Sequence, residues 1–379
     1  VDIRNFFNNR NFTFYVLDKK SVIQQLDFKC EIYDLNLLRY FHFGTAYEHK
    51  YSKLENVYLN NGYCIYSVIP SLLVLSIFED IFEKNKKYFV LNKSEGYLTV
   101  NNLYFKNFSI IEKNGIYVDP ELFFEFFNKK KLICESLVHT QYNLYSSTGR
   151  PSNRFGGVNY SALEKKSGCR KSFISRFGDD GILCMFDFSA FHPRLISNLI
   201  NYKFEYDDEI YKDFAKQLNE GEYSEEKVSE VKTLIFEILY GGIENKLSKT
   251  LYFRMVNEYI ESLWKFFQEY GYIETTLLKR KITKDILKDC TPNKVFNYLL
   301  QSYEFEFSLE LIDQINNILN DHECKLILYT YDSFLFDLPK NEIGLLTKIR
   351  DILEKNKTFP TKLYFGKNYN EMIKIDKIN

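Results

Sequence analysis

Gly181-Ile182-Leu183-Cys184-Met185-Phe186-Asp187-Phe188-Ser189-Ala190-Phe191-His192-Pro193-Arg194 sets a short apolar run, Ile182–Phe186, directly against a carboxylate. A continuous apolar run of this length predicts a buried strand, with Asp187 at its end. A half-buried carboxylate must be paired or bound to a cation. A second carboxylate has a matching setting. Lys325–Thr330 and Phe334–Leu338 are strand-like runs separated by Tyr331-Asp332-Ser333, which predicts a hairpin. Pro339 follows, where an exposed turn would tolerate it. Taken singly, Asp187 or Asp332 is as easily a turn or cap residue. Placed together they would repel and resist joint ionisation unless cations compensated them. A two-metal site, with ions ~3.5–4 Å apart, clamps both oxygens of an in-line phosphoryl transfer.

The segments around these two carboxylates carry further signals. Residues 225–240 are helical by period, and Lys232, Phe236 and Tyr240 share one face at i, i+4 and i+8. A cation and two rings on one stripe suit a nucleotide, although an amphipathic helix with a snorkelling lysine has the same pattern. Gly241-Gly242 stops that helix, and Gly241 lets backbone approach a ligand closely. Thr291-Pro292 supplies an N-cap and a proline at the first helical position. A long helix is predicted from there to about Asn320, with Val295, Leu299, Leu309 and Ile312 on one stripe. Towards the N-terminus, strand-like runs at Phe12–Leu17, Tyr63–Val68 and Tyr97–Phe105 surround a helix-like Leu72–Phe82, and Leu122–Phe127 reads as a short helix. Residues 139–180 are rich in Ser, Gly, Asn and basic residues, which predicts extended chain lying against a ligand.

The bulk composition sets outer bounds. With 379 residues, 45% hydrophobic and 27% charged, the chain is an ordinary globular protein long enough for two or three packed units. Aromatic residues are abundant, 35 Phe and 30 Tyr; most are core, leaving a minority to stack on bases. A net charge of −1 runs against the basic balance of nucleic-acid binders, so such a role must rest on local clusters. Arg170, Lys171 and Arg176 form one, and Lys279, Arg280 and Lys281 another; a solvated face explains each equally well. Seven scattered cysteines without a C-x-x-C indicate neither a zinc knuckle nor a disulfide framework. The expectation is a reduced, intracellular chain, in host cytoplasm or an organelle matrix. It is not expected to be secreted or in a membrane, since its apolar runs are too short and interrupted to span a bilayer. Val1-Asp2-Ile3-Arg4 has no signal-peptide pattern and suggests a processed product or an excised domain.

The order and wording of the motifs carry a resemblance. Asp187 to Arg194 resembles motif A of the family A DNA polymerases, the group containing bacterial DNA polymerase I. Lys232-x3-Phe236-x3-Tyr240-Gly241 is similar to that family's motif B core, and Tyr331-Asp332-Ser333 sits where its motif C has His-Asp-Glu. Thr148-Gly149-Arg150-Pro151-Ser152 resembles the family's Thr-Gly-Arg segment, and Arg170-Lys171-Ser172-Phe173-Ile174 the basic segment before motif A. Thr275 to Arg280 looks like the stretch after motif B that ends in paired basic residues. Asn297-x3-Gln301 is similar to an Asn and Gln that touch the primer-template, and Asn114 to Asp119 resembles the segment that opens the polymerase region. The resemblance covers about residues 110–379.

The resemblance implies a role for each matched residue. Asp187 and Asp332, with the Phe188 carbonyl, would hold two Mg2+ ions, for which Mn2+ could substitute. Lys232 would bind the incoming deoxynucleoside triphosphate and protonate the leaving pyrophosphate. Phe188, Ser189, His192, Arg194, Phe236, Tyr240 and Gly241 would line the nucleotide site, Phe236 facing the sugar and Tyr240 the templating base. Arg150, Asn297, Gln301 and Tyr331 would contact primer-template DNA, and Arg170, Lys171, Lys279 and Arg280 its backbone. The implied fold is α+β in the right-hand style. A small mixed domain would cover 1–105 and a polymerase domain 106–379, with palm at about 137–200 and 290–379, fingers at about 201–289 and a short or missing thumb at about 120–136.

Departures from the family pattern shape the alternatives. His192 replaces the glutamate that screens out the 2′-hydroxyl, Val228 an arginine that grips phosphates, and Ser333 the glutamate of motif C. Related single-chain RNA polymerases have Ser at that last position, so an RNA-synthesising or priming enzyme is one alternative. An inactive polymerase-like DNA-binding scaffold is another. The short thumb implies processivity borrowed from a replication partner. Residues 1–105 lack an Asp-x-Glu in a strand setting, so they read as a shrunken exonuclease relic without an active site, or as a docking surface. Compactness and an AT-rich residue vocabulary suggest a phage or other mobile element.

Overall fold

The computed structural model describes residues 13–16, 18–25, 30–44, 91–155, 158–204, 210–218, 224–241, 250–287, 289–355 and 357–376. The chain divides into two compact units, one of residues 1–109 with 278–281, the other of residues 110–277 with 282–379.

In the first unit, strands β1 (Thr13–Val16) and β2 (Glu31–Asp34) pair in parallel, Thr13 opposite Glu31 and Val16 opposite Asp34. Helix α1 (Leu35–Phe43) begins at Asp34 because that buried carboxylate caps it: one oxygen accepts from Leu37 N–H and the other from Lys19 N–H, both at 2.8 Å. Helix α2 (Glu95–Asn114) leads out of this unit. It corrects the strand expected at Tyr97–Phe105. Tyr97, Val100, Tyr104 and Phe108 are all buried, and their spacing of three, four and four is helical; the aromatic and β-branched composition had suggested a sheet. On the same helix, the Asn101 side chain donates to Ile32 O and accepts from Asp34 N–H, satisfying β2 backbone. The runs expected at Tyr63–Val68 and Leu72–Phe82 lie outside the described residues.

The second unit is built on an antiparallel sheet of β3 (Gly181–Phe188), β4 (Lys325–Tyr329), β5 (Ser333–Pro339), β6 (Thr361–Gly366) and β7 (Ile373–Ile375), in the order β4-β5-β3-β6-β7. The central position of β3 explains its continuous apolar run, since both of its faces are covered. On one face Leu183 and Leu335 join a core with Ile116, Val118, Phe123, Val138 and Phe173. On the other, Phe188 packs edge-on against Phe307, Phe334 and Phe359. Each such ring contributes about 1.5–3 kcal/mol relative to exposure. Pro339 is not in an exposed turn as expected: it is the buried last residue of β5, opposite Gly181, where a missing N–H ends the ladder without breaking it.

Helices flank this sheet: α3 (Pro120–Phe127), α4 (Phe191–Leu199), α5 (Ile210–Leu218), α6 (Glu225–Gly241), α7 (Leu251–Tyr270), α8 (Pro292–Leu319) and α9 (Leu345–Glu354). Helix α8 starts as the sequence predicts, with the Thr291 hydroxyl accepting from Lys294 N–H and Pro292 in the first turn. Helix α3 is capped by Asp119 and ends at Asn128 in the left-handed region, φ 50°. It exposes Phe124 and Phe126, and a short loop with Glu135 and Ser136 also at positive φ returns the chain to residue 137. Among the described residues of 139–180 there are two short paired strands, Gln141–Asn143 and Ser152–Phe155, and single 3-10 turns.

Candidate active site

Pairing of β3 with β5 brings the two predicted carboxylates to one end of the sheet. Ser333 lies opposite Asp187, and Phe188 N–H donates to Asp332 O at 3.0 Å. The intervening turn is held tightly. Thr330 N–H donates to Ser333 O, Asp332 N–H to Thr330 O, and the Thr330 and Ser333 hydroxyls lie 2.6 Å apart. Between them Tyr331 sits at φ +69°. A non-glycine residue held there costs on the order of 1–3 kcal/mol and persists because its surroundings over-determine it. Ser333 is thus spent on closing the turn that presents Asp332.

The two carboxylates see each other. Burial, then the charge of Asp187 and of Glu304, pushes Asp332 up to about 6. Its side chain is nonetheless open to solvent, so protein encloses it on most sides and leaves one mouth, as in a crevice. Burial also raises Asp187, against the opposing pull of Lys362 and Lys232. Lys362 stands directly across from Asp187 on β6, so both side chains leave the same face of the sheet. Lys232 reaches in from α6, its ammonium 5.8 Å from the centre of the Tyr211 ring. Tyr211, on α5, is pushed up to about 12 by burial and by the charges of Asp332 and Asp187. Lys362 and Tyr211 were not anticipated. Neither has a local motif, and each reaches the crevice only through tertiary pairing.

Beside Asp332 lies a charged cluster that joins the anticipated Arg150 and His192 to a residue the sequence reading missed, Glu304. Glu304, on α8, is buried at 1% exposure and forms an ion pair with Arg150, while His192 Nε2 lies 3.3 Å from its other oxygen. Arg150 Nη2 lies 3.0 Å from the same His192 nitrogen. The Arg150 guanidinium stacks 4.7 Å above the Tyr331 ring. Burial raises the Glu304 carboxyl, but Arg150 and His192 outweigh it and hold its pKa below the ordinary range. A signal was present: Glu304 and Glu306 interrupt an otherwise apolar and aromatic stretch of a long helix.

Other expected ligands are placed as follows. Ser189 N–H donates to Pro360 O at 2.8 Å. Arg194 is buried and donates to Ser189 O and Thr358 O, so it braces the loop beyond Asp187 rather than presenting its charge to a nucleotide. Arg170 donates twice to Leu163 O and stacks on Tyr369, and Lys171 makes an exposed pair with Glu371. In the first unit, Arg280 is buried against the Tyr40 ring and Lys279 is exposed at φ +57°. Arg280, expected at a nucleic-acid backbone, is thus buried and stacked in this structure. Asn297 and Gln301 are half-buried on the α8 stripe that leads to Glu304, and Asn297 Oδ1 has no hydrogen-bond partner among the described residues. The Phe236 and Tyr240 side chains, and the surroundings of Gly241, lie outside the described residues.

The donor set fits a hard divalent cation. Asp187, Asp332 and the Phe188 carbonyl offer oxygen only, and the raised Asp332 marks negative charge that a cation would relieve. Mg2+ characteristically takes one or two carboxylates and completes its shell with water and substrate phosphates. Among the described residues no cluster of three or more His, Cys, Asp or Glu side chains forms a self-sufficient metal cage. Among them, too, no helix is long and apolar enough to cross a membrane.

No protein-family model matches the sequence, and no curated protein sequence matches it. Solved structures do. The POL domain of Pol1 from M. smegmatis, in complex with DNA primer-template and dNTP, superposes with a TM-score of 0.67 at 13% identity, over 89% of this chain and 82% of that one. The chain therefore has the mixed α and β fold of a DNA polymerase POL domain.

Proposed function

We propose that the protein is a template-directed DNA polymerase that adds deoxynucleotides to a primer 3′-hydroxyl and releases pyrophosphate. One observation carries this reading: on a polymerase-type fold, Asp187 and Asp332 meet at adjacent strand ends in an open crevice rimmed by Lys232, Lys362 and Tyr211. A scaffold protein has no use for two carboxylates held close enough to raise one another's charge cost.

Asp187, Asp332 and the Phe188 carbonyl would hold the divalent ions, Mg2+ or Mn2+. When bound, these supply Lewis-acid polarisation and charge neutralisation at the α-phosphate. The primer 3′-hydroxyl would lose its proton to solvent water as its oxygen attacks the α-phosphorus, and the bond to the pyrophosphate oxygen breaks. Lys232 neutralises the triphosphate and gives a proton to the departing pyrophosphate. Lys362 adds a second positive charge where Val228 offers none, and the Tyr211 hydroxyl is a neutral donor beside the same phosphates. Asn297 and Gln301, half-buried along α8, would be the side chains of that helix to touch primer-template DNA. Lys171 and Lys279 are exposed enough to meet its backbone. The scattered cysteines fit a reduced intracellular compartment, and the short loop after α3 fits a polymerase whose grip is completed by a partner.

The test is primer extension by the purified chain with Mg2+, deoxy- and ribonucleotides offered separately. Template-dependent extension with deoxynucleotides is expected. Extension with ribonucleotides alone would move the protein to the RNA-synthesising class. Absence of any extension with DNA still bound, and no response to Asp332→Asn, would make it a scaffold.

A further inference from the structure

Glu304 is an expensive residue to keep where it is. It is 1% exposed on a helix whose buried face is mostly apolar, with Leu300, Phe305, Phe307 and Leu311 buried nearby along it, and a buried ion pair can often be replaced by apolar residues without loss of stability. Its charge also adds to the repulsion felt by Asp332, so it works against the ionised form of that carboxylate. A residue unfavourable on both counts points to a geometric role.

The contacts define that role. One carboxylate fixes two side chains from different parts of the chain, Arg150 from the loop after residue 147 and His192 from the first turn of α4. Each of these then touches an element that bears a metal ligand. Arg150 stacks on Tyr331, the residue before Asp332. The His192 ring lies nearly parallel to Phe191, which stacks at 4.3 Å on Phe188, the residue after Asp187. Without the carboxylate, a guanidinium and an imidazole 3.0 Å apart lose the acceptor they share in Glu304, and a protonated imidazole would repel its neighbour. The arrangement is a three-residue clamp.

We propose that Glu304 is the positioning residue for sugar choice: it locks His192 as the wall facing the sugar of the incoming nucleotide and ties that wall to Arg150 on the primer side. This rests on the polymerase reading. The sugar screen is then set by α8, far along the sequence from the motif that carries His192, and the screen and the primer-end grip move as one body.

The test uses the full chain and Glu304→Gln, which keeps the side chain's size and loses its charge. The readout is the ratio of kcat/KM for deoxy- over ribonucleotides, with the KM for primer-template measured alongside. Discrimination should fall by about tenfold or more, and the primer-template KM should rise. The loss in discrimination should vanish in a His192→Ala background, because residues acting as one unit are not additive. An unchanged ratio in Glu304→Gln, or an effect that simply adds to that of His192→Ala, overturns the proposal and leaves the polymerase reading intact. A wild type that accepts both sugars alike also overturns it, while a wild type that extends with neither overturns both. If Glu304→Gln does not fold, Arg150→Lys carries the test, since it keeps the charge but loses the planar fork and must lower the ratio in the same way.

Discussion

Asp332→Asn should make the metal-free protein more stable and the polymerase inactive. Enclosure and the charges of Asp187 and Glu304 raise Asp332 from the ordinary 3.8 to about 6. The folded form therefore holds a proton that the unfolded form has already released. The sign follows from this. Metal-free stability falls as pH rises from about 4 towards 6, and the penalty is fully present above that. At about 1.4 kcal/mol per pH unit a fully enclosed group would lose close to 3 kcal/mol. Asp332 opens to solvent at one side, and screening there reduces the figure to about 1 kcal/mol. Asparagine removes the penalty, so at pH 8 in chelator the variant should melt about 1–3 °C above wild type, and the gap should narrow through pH 5 and close near pH 4, around the ordinary carboxylate value. Magnesium should raise the wild-type melting temperature far more than the variant's. Melting curves at pH 4 and 8, with and without Mg2+, measure all four states. A variant less stable than wild type at pH 8 in chelator, or equally stabilised by Mg2+, would refute the placing of the two carboxylates at one metal site.

Lys232→Ala is expected to lower kcat for extension by about 10²–10⁴-fold, as for a lost general acid, with primer-template binding unchanged in a gel-shift titration. Arg176→Ala leaves the fully buried Asp337 without its ion-pair partner and should cost about 3–5 kcal/mol, read by denaturant unfolding. Tyr142→Phe removes a hydroxyl that both donates to Tyr329 O and accepts from Tyr329 N–H, each at 2.8 Å. It should cost about 1–3 kcal/mol, and amide exchange should accelerate at Tyr329 before the rest of the sheet.

Much of the second unit was legible in the sequence because its signals are local. The apolar run of β3 could only be a central strand, Thr291-Pro292 is a helix start in any context, and the turn at Tyr331-Asp332-Ser333 separates two unmistakable apolar runs. The helix at Tyr97–Phe105 was misread because its β-branched and aromatic residues favour sheet by composition, while the spacing that decides the matter extends beyond the window, to Phe108. The site divides in the same way. Asp187, Asp332 and Lys232 sit in motifs. Lys362 reaches Asp187 through strand pairing across nearly half the chain, and Tyr211 reaches the crevice only once α5 is docked. Arg194 and Arg280 were read as ligands because an arginine in a motif looks available. In the fold both are buried, Arg194 bracing backbone and Arg280 stacked on Tyr40, and nothing in their spacing distinguishes those uses from an exposed charge.

The short return after α3 offers an opening to the protein engineer. Asn128, Glu135 and Ser136 already hold left-handed turns at the surface, and chain added between them need not disturb the sheet. Doubling a loop adds only about 0.6 kcal/mol of closure entropy. A helical hairpin grafted after Asn128 could use Phe124 and Phe126 as its foundation. On the polymerase reading proposed above, such a chimaera would itself hold a longer stretch of template.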